Sequence, residues 1–146
     1  MNSQIKYARP SVARNVGLWV LQILTAVAFL AAGVAKLSGQ QMMVETFEKV
    51  GVGQWFRYLT GSIEIVSACF LLIPRLTPVG AALLFCTMAG AVLSHLLILG
   101  GSPIPALVLG CLAGLILWGR FGRVKAWLSG LSAGAKSEQG ALSGVS

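Results

Sequence analysis

Charge is what this sequence has least of. Only 10% of its 146 residues are Asp, Glu, Lys or Arg, against about 25% in soluble domains. That is too little to cover a water-facing surface. With 56% hydrophobic residues, it excludes an ordinary soluble fold, and a bilayer has to act as the solvent. Acidic side chains are the scarcest, four against eleven Lys and Arg, for a net charge of +7. A basic balance can point to nucleic acid. Here most of the basic residues lie outside the apolar runs, towards the ends of the chain, where anionic lipid headgroups are their natural partner and no nucleic acid is expected. Paired thiols are also missing. Cys69, Cys86 and Cys111 fall singly in three different apolar runs, without a C-x-x-C. Thiol redox chemistry needs paired, accessible thiols, so the three are expected as small, buried packing residues.

What is there is a series of apolar runs, over about 16–37, 55–73, 78–99 and 104–118. A spanning helix needs roughly 20 residues. The first three runs are long enough. The fourth is short, with Pro103 and Pro105 suited to a first helical turn, where no backbone N–H is needed. The first run has a basic start and small residues at Ala31-Ala32-Gly33, but it is too long for a signal-peptide core of about 7–15 residues. The expected fold is therefore all-α: an integral membrane four-helix bundle over 16–119, with 1–15 preceding it as a cytoplasmic segment.

Basic residues concentrate on the inner side of membranes. The N-terminal segment carries Lys6, Arg9 and Arg14, the second connection Arg75, and the C-terminal region Arg120, Arg123, Lys125 and Lys136. The first connection has Lys49 balanced by Glu45 and Glu48, and the third has none. Both termini are thus expected in the cytoplasm, in a multi-pass protein of a bacterial inner membrane. Trp19 and Trp118 then mark the inner interface and Trp55 the outer. Residues 40–54, with Met42, Met43, Phe47 and Val50 at helical spacing, fit a short interfacial helix on the outer surface. Residues 120–131 alternate Phe121, Val124, Trp127 and Leu131 with Arg123 and Lys125, a basic amphipathic segment. The Gly/Ala/Ser-rich stretch 132–146 has the composition of a disordered tail.

Ionisable groups inside a membrane are costly and each needs a reason. Glu64 lies about nine residues into the second run, roughly 13 Å from its outer edge. Arg57, Gly61, Glu64 and Ala68 share one helical face. Lys36 ends the first run on a stripe with Gln22, Thr25 and Gly33. His95 lies in the third run near Thr87, Ala91 and Ser94. Helical side chains tilt towards the N-terminus, so Lys36 and His95 point into the membrane from the outside while Glu64 points up to meet them. All three are expected to converge in the outer half of the bundle, and two uses fit: a structural staple, or a site with Glu64, Lys36 and His95 as catalytic groups and Arg57, Gly61, Gly33 and Ser94 as ligand-binding ones. Cys86-x-x-x-Gly90-x-x-x-Ser94 and Gly110-x-x-x-Gly114 are close-packing faces, more suited to packing the spans together than to joining two protomers.

The elements Phe29-Leu-Ala-Ala-Gly33-Val-Ala-Lys36-Leu37, Gly53-x-Trp55-Phe56-Arg57-Tyr58-Leu59-Thr60-Gly61-x-x-Glu64, Leu71-Leu-Ile-Pro74 and Ala89-x-Ala91-x-x-x-His95 resemble the DoxX-like family of small bacterial four-helix membrane proteins. The resemblance covers about residues 16–119 and implies a four-helix membrane bundle. Its named relatives include a subunit of a thiosulfate:quinone oxidoreductase and proteins linked to oxidative-stress complexes. By motif, Lys36, Gly61, Glu64 and His95 carry over; no redox centre does, and one histidine cannot supply a bis-histidine haem. The expected function is a redox-associated subunit that binds a quinone or similar lipophile, with no intrinsic cofactor, no metal site, a redox partner protein and a homo-oligomer as candidate assembly. A non-catalytic scaffold, or a cofactor-free enzyme on a lipophilic substrate with Glu64 as acid or base, are the alternatives.

Overall fold

The computed structural model describes residues 12–122, 125 and 129. Lys6 and Arg9 of the expected cytoplasmic segment lie outside them, as do Arg123, Val124, Trp127 and Leu131 of the expected amphipathic segment and the whole stretch 132–146, Lys136 included. The described residues are helical, without a strand: α1 (Val12–Leu37), α2 (Gln41–Val50), α3 (Gln54–Leu72), α4 (Thr77–Ser94), a π-helical turn (His95–Leu99) and α5 (Ile104–Gly119). α1, α3 and α4 with its π turn are long and apolar enough to cross a membrane. α5, at 16 residues, rises about 24 Å, less than the roughly 30 Å of a hydrocarbon core.

The boundaries follow local chemistry. Pro78 and Pro105 stand in the first turns of α4 and α5, where the missing N–H costs nothing. Gly51 ends α2 in the left-handed region (φ 76°) and returns its N–H to the carbonyls of Phe47 and Glu48. Gly100 (φ 62°) does the same for the π turn, donating to the His95 carbonyl at 3.0 Å. α1 is already helical at Val12, the first described residue and four before the expected 16; neither Gly nor Pro interrupts 12–16, and Asn15 finds a partner in Arg120, just past α5.

α1 packs on α3, α3 on α4 and α4 on α5, and a lighter contact between α1 and α5 closes the bundle. α2 lies against α3 and the π turn, with Phe47 buried edge-on to Phe56. The core is built of small and medium side chains, Ala26, Phe29, Ala68, Leu71, Ala81, Leu84, Met88, Ala113 and Ile116 among them. Larger apolar residues such as Leu24, Val27, Leu93, Leu97, Ile104 and Trp118 face outward. An apolar surface of this extent would drive association in water; in lipid it is solvated.

Glycines set the closest approaches. A Cβ on Gly33 would stand 2.6 Å from Ile65 and 2.9 Å from the Gly61 carbonyl, and one on Gly80 would stand 2.6 Å from the Ser67 carbonyl. Gly110 and Gly114 abut Met88 and Phe85 across α4 and α5, as the packing face in that run requires. The other expected face does not pack against the described residues. Gly90 has nothing within 4 Å, and Cys86 is exposed, as are Cys69 and Cys111. The expectation of buried cysteines is thus corrected: core and lipid-facing sides are both apolar, so hydropathy cannot assign a small residue to either.

Gly80→Ala and Gly90→Ala place the same methyl on the same helix. At Gly80 it meets backbone that cannot yield, and overpacking should cost about 1–3 kcal/mol. At Gly90 it meets no protein atom, and the gain in helix propensity, up to about 1 kcal/mol, remains. Thermal unfolding in one detergent should show Gly80→Ala clearly below wild type and Gly90→Ala at or slightly above it.

Candidate functional site

Lys36 lies in the last turn of α1, and Glu64 is 1% exposed in the middle of α3. The two helices run antiparallel, so the N-terminal tilt of helical side chains aims the residues at each other. Lys36 Nζ donates to both carboxylate oxygens, at 3.0 Å to Oε1 and 2.8 Å to Oε2. The Lys36 side chain is 15% exposed and that of Glu64 1%, so the carboxylate is sealed and the lysine is the more accessible member of the pair. Gly61 makes this possible: a Cβ there would stand 3.1 Å from Lys36 Cβ and 3.2 Å from the Gly33 carbonyl. Gly33 and Gly61 therefore bring the backbones together and clear the path for the lysine stem.

Arg57, one turn above Gly61, is 4% exposed and reaches neither headgroups nor solvent. Its Nη1 donates to the Lys36 carbonyl, its Nε donates to Gln54 Oε1 at 2.8 Å, and the guanidinium lies 4.3 Å from the Tyr58 ring centre. The last carbonyls of a helix lack intrahelical donors and carry its negative dipole end. Arg57 supplies both a donor and a positive charge there, and so fixes the turn that carries Lys36.

The expected convergence of three groups is only two-thirds realised. His95 and Ser94 are not hydrogen-bonded to Lys36 or Glu64. Ser94 Oγ donates back to the Gly90 carbonyl at 3.0 Å. His95 opens the π turn beside α2, its Nδ1 3.5 Å from where a Cβ on Gly101 would lie and without a partner. α4 packs on α3 and α5 rather than on α1, which carries Lys36, and the π turn that His95 opens lies against α2.

A second polar cluster, at the opposite end, has no counterpart among the sequence expectations. Gln22, fully buried on α1, accepts from Arg120 Nε and Nη2 at 2.9 and 2.6 Å and donates to the Leu71 carbonyl at 2.7 Å and Thr77 Oγ1 at 3.4 Å. Arg120 Nη1 adds Asn15 Oδ1 at 2.9 Å. One amide thus touches α3, the start of α4 and the residue that caps α5. Gln22 is visible in the sequence as a polar residue inside an apolar run, which in lipid demands a partner. Arg120 gives no such signal, because it follows the run and counts with the basic tail.

A bundle whose surface is largely apolar and whose buried charged side chains find their partners on neighbouring helices is a membrane protein of the small helical class. The sequence profile of the DoxX-like family matches residues 20–120, and the chain belongs to that family. It is also similar to "Putative oxidoreductase CatD" of Bacillus subtilis (strain 168), 22% identical over 80 residues that cover 55% of this chain and 60% of that relative. No solved structure matches.

Removing one member of a buried pair costs about 3–5 kcal/mol, while replacing both with apolar groups is often neutral. Here the two single losses should differ. Lys36→Met strands a sealed carboxylate and should take the full cost. Glu64→Leu leaves an ammonium that can turn outward and should cost less. The double variant should recover most of the loss in thermal unfolding.

At the other end, Gln22→Leu removes the acceptor of a buried guanidinium. A stranded polar group costs about 1–3 kcal/mol and a charged one more. Unfolding in detergent should place Gln22→Leu below the conservative Thr77→Val, since Thr77 carries no charge to strand.

Proposed function

We propose that this DoxX-like membrane protein is a redox-associated subunit that binds a quinone or similar lipophile in the outer half of its bundle, beside Lys36 and Glu64. The observation that carries this reading is the asymmetric exposure of the pair: a sealed carboxylate joined to a lysine whose side chain is partly exposed. An ammonium has three donors and Glu64 leaves room for another acceptor. A quinone carbonyl placed at the rim would accept from Lys36 Nζ while Glu64 holds or supplies a proton. Electrons would come from a partner protein. The name of the Bacillus subtilis relative, an oxidoreductase, supports the redox setting. His95 and Ser94 stand off the pair and take no part.

In this reading the chain crosses the bacterial inner membrane four times with both ends in the cytoplasm. Support comes from exposed Arg75 between α3 and α4, from the absence of basic residues between the π turn and α5, and from exposed Trp55 and Trp118 at opposite ends.

A structural role without chemistry is the second reading. It is favoured by the way both carboxylate oxygens are taken by one Nζ while Gly33 and Gly61 close the space between the helices.

The deciding measurement is mass spectrometry of organic extracts from wild type and Glu64→Gln, purified from native membrane at equal folded yield. A carboxylate-dependent site should lose about tenfold or more of its lipophile in the variant, the equivalent of one charge-assisted hydrogen bond. Equal quinone content in both preparations would sink the ligand reading in favour of the staple.

A further inference from the structure

The last turns of α5 border a hollow of about 270 Å3, lined by Phe85 of α4 with Gly114, Leu117, Trp118 and Phe121. It lies at the end of the bundle opposite the Lys36–Glu64 pair and does not depend on the role of that pair. Three aromatic rings wall it, and each is largely exposed: Trp118 78%, Phe85 47% and Phe121 47%. Gly114 keeps it open, since a Cβ there would already stand 3.5 Å from the Phe85 ring. The hollow faces outward, where acyl chains surround the bundle.

Its rim is cationic. Lys125 Nζ lies 5.6 Å over the Phe121 ring, and exposed Arg75 occupies the turn between α3 and α4 at the same end. Arg120 is turned inward onto Gln22 and Asn15, and among the described residues Lys125 is the cation that lies over an aromatic wall of the hollow. No Asp or Glu occurs in the sequence between Glu64 and Glu138, so nothing along this stretch neutralises those charges. Aromatic rings sit at headgroup level in membrane proteins, and basic side chains beside them attract anionic lipid.

We propose that this hollow seats one anionic phospholipid, with an acyl chain against Phe85, Leu117 and Gly114, the Trp118 and Phe121 rings on either side, and the phosphate at Lys125. Charge complementarity sets this occupant apart from the zwitterionic lipids that would fill an apolar crevice equally well. Aromatic walls hold the chain, and the lysine selects the headgroup.

The test is native mass spectrometry of the protein in mild detergent after exchange against equimolar phosphatidylglycerol and phosphatidylcholine. Wild type should retain one phosphatidylglycerol in preference to phosphatidylcholine, and less of it as salt is raised. Lys125→Gln should lower that preference about fivefold. Trp118→Ala should shorten retention of both lipids. Both side chains are exposed, and unchanged melting in lipid-free detergent verifies that the variants fold. Equal retention of the two lipids by wild type would overturn the proposal, as would retention indifferent to both substitutions, or a quinone as the occupant displaced by Trp118→Ala.

Discussion

A cation inside a hydrocarbon slab cannot be hydrated, so its protons must go onto protein oxygens, and this requirement shapes both ends of the bundle. Lys36 meets it with the Glu64 carboxylate and Arg57 with the end of α1. Arg120 meets it with Gln22 and Asn15. Each solution joins side chains from different helices, so each also fixes how those helices sit. The Gln22 amide does most in this respect, since its oxygen faces the end of α5 while its nitrogen faces α3 and α4. An apolar residue in its place could fill the volume but could not hold the guanidinium.

Between those ends, contact is a matter of shape. Lipid tails are as apolar as leucine, so burying a leucine between two helices gains little, and association rests on close packing and internal hydrogen bonds. The core reflects this, with alanine and glycine at the tightest contacts and many of the large side chains turned outward. The two devices also depend on each other. Without the Gly33 and Gly61 contact the α1 and α3 backbones would stand further apart, and the lysine stem would not pass where it does.

Apolar runs and prolines are enough to place α1, α3, α4 and α5, because a bilayer leaves few alternatives to a helix, while α2 shows itself through the helical spacing of Met42, Met43, Phe47 and Val50. Lys36 and Glu64 are legible for the same reason: an ionisable group in lipid announces itself, and two such groups on consecutive, antiparallel runs point at one another. The features that stay hidden obey the same logic in reverse. Arg120 lies just past an apolar run, where a cation looks ordinary, and its inward turn depends on the position of Gln22, 98 residues away in sequence. The departure of His95 from the pair depends on which helices are neighbours and on a π turn with no marker in composition. The cysteines are misplaced by hydropathy because, in lipid, an apolar residue carries no information about which way it faces.

The two polar ends differ in one chemical respect. Arginine stays protonated in proteins, so the contacts among Arg120, Gln22 and Asn15 do not change with proton state. A carboxylate, by contrast, also exists in a protonated form that donates a hydrogen bond. Any ligand that drew the ammonium outward would leave Glu64, sealed among helices, to take up a proton or stay charged without a partner. Coupling between occupancy and proton uptake is therefore available at the Lys36 end and absent at the Arg120 end. The two proposed ligands divide along the same line: a lipophile whose carbonyls gain protons on reduction would draw on the first cluster, whereas a phospholipid would need only a fixed positive charge.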